Sequence, residues 1–265
     1  MKIEADTDWD VDALSHVWPR GLDASFYHGR ILELTAAITA KGRGGSVLEV
    51  GSGNAGCSER LVRAGLTCFA LEPSRSMIER AQSRMAEAGL RVTMVRGIAE
   101  QAPFRDHVFD RVLSDASIDH LADPRLGVRE MARLLKPDGR LIIGAVNYGG
   151  LTVRASRAIY RVGRTLGRIP PDQRQFWDTP VPYEHTFECT LPVLRQLCGE
   201  WLALDYARGV SIGFAFPGWG TLLSKLPARV AAGLLVCLDR LAYRLPRIAD
   251  YIVSVWKPKG ADRPG

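Results

Sequence analysis

From residue 46 onward, short apolar runs alternate with segments whose apolar positions recur every three or four residues. The first kind reads as buried strand and the second as amphipathic helix. Ser46–Val50, Thr67–Leu71, Arg91–Val95, Phe109–Ser114, Arg140–Val146, Leu202–Arg208 and Tyr251–Trp256 are the strand segments. Between them fall helical patterns at Cys57–Ala64, Ser74–Ala88, Pro124–Leu135 and Leu191–Cys198. Within Ser74–Ala88, Met77, Ile78, Ala81 and Met85 share one face; Ser74 suits the N-cap and Gly89 the stop. Lys136-Pro137-Asp138-Gly139 reads as a turn that ends the helix before it. Such alternation predicts an α/β fold with a doubly wound, mostly parallel sheet of seven strands.

Three stretches stand outside the alternation. Residues 1–45 form a leader with Trp9, Trp18 and a helix from Ser25 to Ala40. Residues 46–146 hold the regular core, 147–188 form a first insertion, and 189–265 complete the sheet around a helical insertion at about 214–248. Open α/β sheets receive ligands at the carboxyl ends of their strands, where these additions arise. They read either as helical lids and substrate walls or as packing decorations.

Composition narrows the class. The chain has 265 residues, 46% of them hydrophobic, as expected of a globular protein with a substantial core. No basic-then-apolar leader and no run of about 18 apolar residues is present, so a cytoplasmic location is expected, with any membrane contact peripheral at the inner face. Five widely spaced cysteines without a Cys-x-x-Cys pair fit reduced, mostly core thiols. The net charge of +6 lies wholly in the C-terminal part: residues 1–146 carry 19 Lys and Arg against 20 Asp and Glu, and residues 147–265 carry 16 against 9. That asymmetry points to an anionic partner or to a solvated basic face.

The main chemical signal is Val47-Leu48-Glu49-Val50-Gly51-Ser52-Gly53-Asn54-Ala55-Gly56, a strand running into a glycine turn and then a helix. Backbone N–H groups there face a ligand that the glycines allow to approach closely. Strand 2 ends in Leu71-Glu72-Pro73, whose carboxylate suits the two hydroxyls of an adenosine ribose. Gly51, Gly53 and Gly56 also satisfy the dinucleotide fingerprint, a weak match when it stands alone. Glu49 inside the strand, the long leader and the lack of a Tyr-x-x-x-Lys pair weigh against a dehydrogenase.

From Val47 to about Val146 the sequence resembles the small-molecule branch of class I S-adenosylmethionine-dependent methyltransferases. Glu49-x-Gly51-x-Gly53 resembles the first family motif, and Gly97-Ile98-Ala99-Glu100-Gln101-Ala102-Pro103-Phe104 the segment along the adenine. Phe109–Ser114 with Ile118-Asp119-His120-Leu121 resembles strand 4 and its active-site loop. Glu130, Leu134–Leu141 and Tyr183-Glu184-His185-Thr186-Phe187 resemble later signatures. The resemblance implies a Rossmann-like core and S-adenosylmethionine as cofactor, released as S-adenosylhomocysteine. It implies cofactor contacts from Glu49, Gly51, Ser52, Gly53, Glu72, Pro73, Met77, Ile98, Ala99, Glu100 and Ser114, with Tyr27 and Arg30 reaching from the leader. Ala55 stands where the family has a third glycine, and Ile98 where it often has an aspartate, so the adenine falls to backbone groups and apolar packing.

The expected activity is in-line methyl transfer to O, N or C of a small acceptor, lipid-like or anionic. A base is needed only where the acceptor loses a proton. Asp119 and His120 after strand 4, with Tyr183 and His185 from the first insertion, are the catalytic candidates. No His, Cys and Asp cluster shows ligand spacing, so no metal site is expected. Two alternatives stay open: a catalytically degenerate cofactor-binding protein, and an NAD(P)-dependent oxidoreductase. Nucleic acid is disfavoured, because no Asn/Asp-Pro-Pro-aromatic motif follows strand 4.

Leu151–Arg168 reads as a basic amphipathic helix. Arg154, Arg157, Arg161, Arg164 and Arg168 fall within an arc of about 80° at 100° per residue, opposite Leu151, Ala155, Ala158, Ile159, Val162 and Leu166. A second apolar run, Val230–Leu238, lies between Lys225 and Arg229 on one side and Arg240, Arg244 and Arg247 on the other. Segments 151–168 and 225–247 therefore fit either a cap packed on the domain or a peripheral contact with lipid.

Overall fold

The computed structural model describes residues 21–42, 44–178 and 185–259; the expectations for Trp9, Trp18 and Tyr183 lie outside them. Helix α1 (Leu22–Thr39) precedes β1 (Ser46–Val50), α2 (Gly56–Arg63), β2 (Thr67–Glu72), α3 (Arg75–Glu87), β3 (Thr93–Arg96) and β4 (Phe109–Asp115). Then come α4 (Pro124–Leu134), β5 (Leu135–Val146), α5 (Leu151–Thr165), α6 (Leu191–Cys198), β6 (Leu202–Val210), α7 (Trp219–Ser224), α8 (Ala228–Arg244) and β7 (Tyr251–Pro258).

The seven strands form one sheet in the order β3-β2-β1-β4-β5-β7-β6. β7 runs antiparallel to both β5 and β6, and the other pairings are parallel. The sheet is the Rossmann-like, mostly parallel one that the strand segments predict. Its chain order reverses between β1 and β4, so their carboxyl ends frame the crevice where such sheets bind ligands. Central strands covered on both faces need continuous apolar sequence. Val47, Leu48 and Val50 of β1 and Leu141, Ile142 and Ile143 of β5 meet that need and are buried.

Helix boundaries follow local chemistry. The Ser74 hydroxyl accepts a hydrogen bond from the Met77 N–H (3.3 Å), and the Asp123 carboxylate accepts one from Leu126 N–H (3.0 Å), capping α3 and α4. One expected turn becomes something else. Lys136–Gly139 lies inside β5, which begins at Leu135 directly after α4. Phe109 pairs with Leu135 but Arg111 pairs with Arg140, so the additional β5 residues bulge out of the ladder.

The additions gather at the carboxyl end of the sheet. Asn147, just past β5, donates through its side-chain amide to the Ala249 carbonyl (2.8 Å), and Asp250 accepts from the Phe214 N–H (2.9 Å). These bonds fix the loop between α8 and β7 and the loop after β6 against the start of the first insertion. The Arg30 Nε donates to Asp239 of α8 at 2.9 Å, tying α1 to the second insertion.

The cap alternative for the basic helix is overturned for its apolar face. Leu151, Ile159, Val162 (57% exposed) and Leu166 (60%) point outward. Thr152, Val153 and Ser156 are the buried positions of α5. On α8, Ala231, Leu235 and Ala242 are buried while Val230, Val236, Leu241 and Tyr243 are exposed. No helix among the described residues is long and apolar enough to cross a membrane.

Candidate active site

β1 ends in a turn that needs glycine at its first position. Gly51 has φ 67° and Gly53 φ 51°, both left-handed. A Cβ on Gly51 would stand 2.5 Å from the Ser117 Cβ, so the turn and the loop after β4 meet through the missing side chain. Ser117 hydroxyl donates to the Val50 carbonyl (2.9 Å) and pairs with the Ser114 hydroxyl (2.8 Å), locking β4 to the turn. Ala55, at the third glycine position, also adopts a left-handed conformation (φ 57°) and is fully buried against Ala81 and Met85.

Two carboxylates face this turn. Glu72 accepts the Gly53 N–H (2.8 Å) and the Ser74 N–H (3.0 Å), which shapes the cradle from beneath. Each carboxylate oxygen keeps a second lone pair for a ligand hydroxyl. Burial raises its pKa, opposed by the two amides. Glu49 is turned inward instead, accepting both the amide and the hydroxyl of Ser58 at the start of α2. Burial pushes its pKa up to about 8 against those hydrogen bonds.

In the segment after β3, Ala99 and Glu100 are buried in a 3₁₀ turn and Ile98 is half-buried. The Glu100 carboxylate accepts the Asp123 N–H (3.1 Å), a structural bond at the start of α4. Met77 is half-buried on α3, and the Pro73 carbonyl accepts from Arg96. Ser52 is buried, its carbonyl accepting the Ala55 N–H.

The leader supplies less than expected. Arg30 is held by Asp239 (2.9 Å) and Glu33 (2.9 Å), which corrects its assignment to a cofactor carboxylate. Tyr27 is 2% exposed and stacks on Phe214, with ring centroids 3.9 Å apart, so it belongs to the apolar core.

Past β4 a polar cluster assembles. Asp119 and His120 sit in a 3₁₀ turn at Ile118–His120, and the Thr186 amide donates to the Asp119 carbonyl at 2.8 Å. That bond brings His185 alongside: its Nε2 lies 3.6 Å from Asp119 Oδ2 and its ring centroid 4.7 Å from that of His120. The Tyr148 hydroxyl meets His185 Nδ1 at 3.2 Å. Burial holds His120 below the usual imidazole range, with Asp119 opposing and His185 reinforcing. Sequence spacing pointed to no metal site, yet Asp119, His120 and His185 place ligand atoms within 4.8 Å of one another. His185 is distant from Asp119 along the chain, and only the folded insertion brings it there.

Tyr148 escaped the sequence reading. Its signal was positional, two residues beyond the end of β5 at the carboxyl edge where ligands bind. Phe176, Trp177 and Phe214 were missed as well. They form an aromatic knot with Tyr27 in which Phe176 and Trp177 meet Phe214 edge-on at 5.6 and 5.8 Å.

The family described as "Methyltransferase domain" matches residues 48–143, the stretch that builds the glycine turn, Glu72 and the Asp119–His120 loop. A phosphatidylethanolamine N-methyltransferase of Cereibacter sphaeroides is 31% identical over 60% of this chain and 81% of its own length. The chain belongs to the S-adenosylmethionine-dependent methyltransferases of class I. A ubiquinone biosynthesis O-methyltransferase of Azorhizobium caulinodans is 33% identical over 63% of this chain; the chain spans 65% of that relative's length. A solved S-adenosylmethionine-dependent methyltransferase of Thermotoga maritima shares the fold, with a TM-score of 0.56 at 18% identity, covering 89% of this chain and 93% of that one.

Proposed function

We propose that this methyltransferase binds S-adenosylmethionine in the Gly51–Gly53 cradle and methylates O, N or C of a small, lipid-like acceptor beside Asp119, His120, His185 and Tyr148. The carrying observation is the contact between cradle and cluster. Gly51 abuts Ser117, two residues before Asp119, so a cofactor on the glycine turn lies next to the imidazoles. Glu72 takes the ribose hydroxyls, and Ile98 and Ala99 line the adenine. The donor groups fit: a positive-φ turn with no Cβ at Gly51, and carboxylate lone pairs at its floor.

S-adenosylmethionine supplies an electrophilic methyl on a positive sulfur. The chain's own work is alignment and exclusion of water. His185, oriented by Tyr148 through Nδ1, accepts the proton of an acidic acceptor through Nε2, and His120 packs against it to position that acceptor. The helical additions stand over this end of the sheet, held together by the buried packing of Phe214, Tyr27 and Trp177. Two named relatives act on a phospholipid and in ubiquinone biosynthesis, which supports an amphiphilic acceptor.

The exposed stripes of α5 and α8, each bordered by arginines, support a peripheral contact with anionic lipid through which such an acceptor arrives. Titration with S-adenosylhomocysteine, with NADH as control, tests the cofactor reading. Saturable binding of the first alone is expected, followed by methyl transfer to amphiphilic acceptors. NADH binding would overturn the reading, and binding without any transfer would favour a degenerate enzyme. In vesicle flotation, anionic vesicles are expected to carry the protein and zwitterionic ones to leave it behind; equal behaviour removes the lipid contact.

A further inference from the structure

The acceptor cluster has the parts of a metal centre. His185 Nε2 and Asp119 Oδ2 stand 3.6 Å apart, beyond ordinary hydrogen-bond reach. Two atoms bound to one ion at about 2.0–2.2 Å and a tetrahedral angle are separated by about 3.4 Å. His120 supplies the third ligand, with all three ligand atoms within 4.8 Å of one another.

Two further observations point the same way. The Asp119 side chain is 3% exposed, and its Oδ1 accepts no hydrogen bond from a described residue. A buried carboxylate with an unsatisfied oxygen is costly, and a cation bound by the same carboxylate offsets part of that cost. His185 also has an outer partner of the kind metal-bound histidines use: its Nδ1 lies 3.2 Å from the Tyr148 hydroxyl, and in the tautomer whose Nδ1–H donates to that oxygen the Nε2 lone pair faces Asp119. Arg157 stacks over the Tyr148 ring at 5.8 Å and is fixed by Asp178 (2.7 Å) and Glu188, so the outer partner is itself held.

We propose that Asp119, His120 and His185 bind one divalent transition-metal ion of the zinc type, with Tyr148 positioning His185. Two imidazoles and one carboxylate leave a fourth position open, the pattern of a catalytic rather than a structural site. The inference rests on the reading of this cluster as the acceptor site and names the acceptor class: a molecule bearing a hydroxyl that becomes the fourth ligand. With His185 Nε2 on the ion, the ion takes over from that nitrogen the activation of the acceptor: the bound hydroxyl's O–H bond breaks and its proton passes to water. The oxygen then forms the O–CH₃ bond as the S–CH₃ bond breaks, so anion and sulfonium become ether and thioether.

The experiment uses tag-free protein stripped with a chelator and titrated with zinc alone, then with cobalt as a visible-absorption probe of geometry. One equivalent of zinc and tetrahedral cobalt absorption are expected. His120→Ala and His185→Ala should each weaken zinc binding by at least about 100-fold, and Tyr148→Phe by about 10–100-fold. S-adenosylhomocysteine affinity and thermal midpoint serve as controls for folding, and the cobalt spectrum of the unmutated protein reads the site where a variant fails to fold. Absence of saturable zinc binding, or equal binding by the His120→Ala/His185→Ala double variant, overturns the metal site and leaves the acceptor reading intact. Zinc bound as expected with wild-type methyl transfer by His185→Ala sustains the metal site and removes the acceptor reading instead.

Discussion

Tyr27 lies flat against Phe214, with ring centroids 3.9 Å apart and planes inclined by 6°. One ring comes from α1 before the sheet begins, the other from the loop after β6. Phe214 is 1% exposed and receives the edges of Phe176 and Trp177 from the first insertion. One side chain therefore joins all three additions. Phe214→Ala is expected to cost about 3–5 kcal/mol of stability, the usual loss for a buried phenylalanine. Chemical denaturation measures it. A loss below about 1 kcal/mol would mean the additions hold together without this knot.

Glu72 carries the cofactor prediction. Its carboxylate is anchored by the Gly53 and Ser74 amides, and losing it removes the floor of the cradle. Glu72→Ala is expected to weaken S-adenosylhomocysteine binding by at least tenfold, about 1.4 kcal/mol, in a protein that remains folded. Unchanged affinity by calorimetry in a folded variant would remove Glu72 from the site.

Arg30 is predicted to matter for stability and not for the cofactor. Asp239 is 6% exposed and also accepts the Ser211 amide, so Arg30→Ala leaves a buried carboxylate short of its cation. A loss of about 1–3 kcal/mol follows from that unpaired group. Denaturant unfolding together with S-adenosylhomocysteine titration separates the two roles, and a large change in affinity at constant stability would restore the contact expected from sequence.

Stability should fall as pH rises. Burial lifts Asp115 to about 6, Asp250 to about 7 and Glu49 to about 8, well above ordinary carboxylates. A carboxyl group with a raised folded pKa binds its proton more tightly in the native state. Its contribution is complete below the unfolded pKa near 4 and is lost as pH climbs through the folded value. The thermal midpoint is therefore expected to drop by at least about 5 °C between pH 5.5 and 8.5, at about 2–4 °C per kcal/mol. Asp250→Asn and Glu49→Gln should flatten that slope, and a midpoint that rises over the same interval would contradict the burial of these groups.

Much was legible in the chain itself. Period and punctuation placed the strands because a central parallel strand must be apolar throughout, and Val47–Val50 or Leu141–Ile143 leave no other reading. The turn at Gly51 and Gly53 was legible because a tight turn after a strand needs positive φ, which few residues other than glycine supply. Those requirements are local, so local sequence carries them. Sequence also fixed the arginine stripe of α5, since helical period alone sets which residues share a face.

The tertiary structure decided what faces what. It turned Leu151, Val162 and Leu166 to solvent rather than onto the domain, and it spent Arg30 on Asp239. It carried His185 from the first insertion to Asp119 and set Tyr148 against its other nitrogen. Nothing in the spacing of those residues encodes their meeting. Their distances depend on how the additions close over the sheet edge, which many distant apolar contacts determine together and no short motif records.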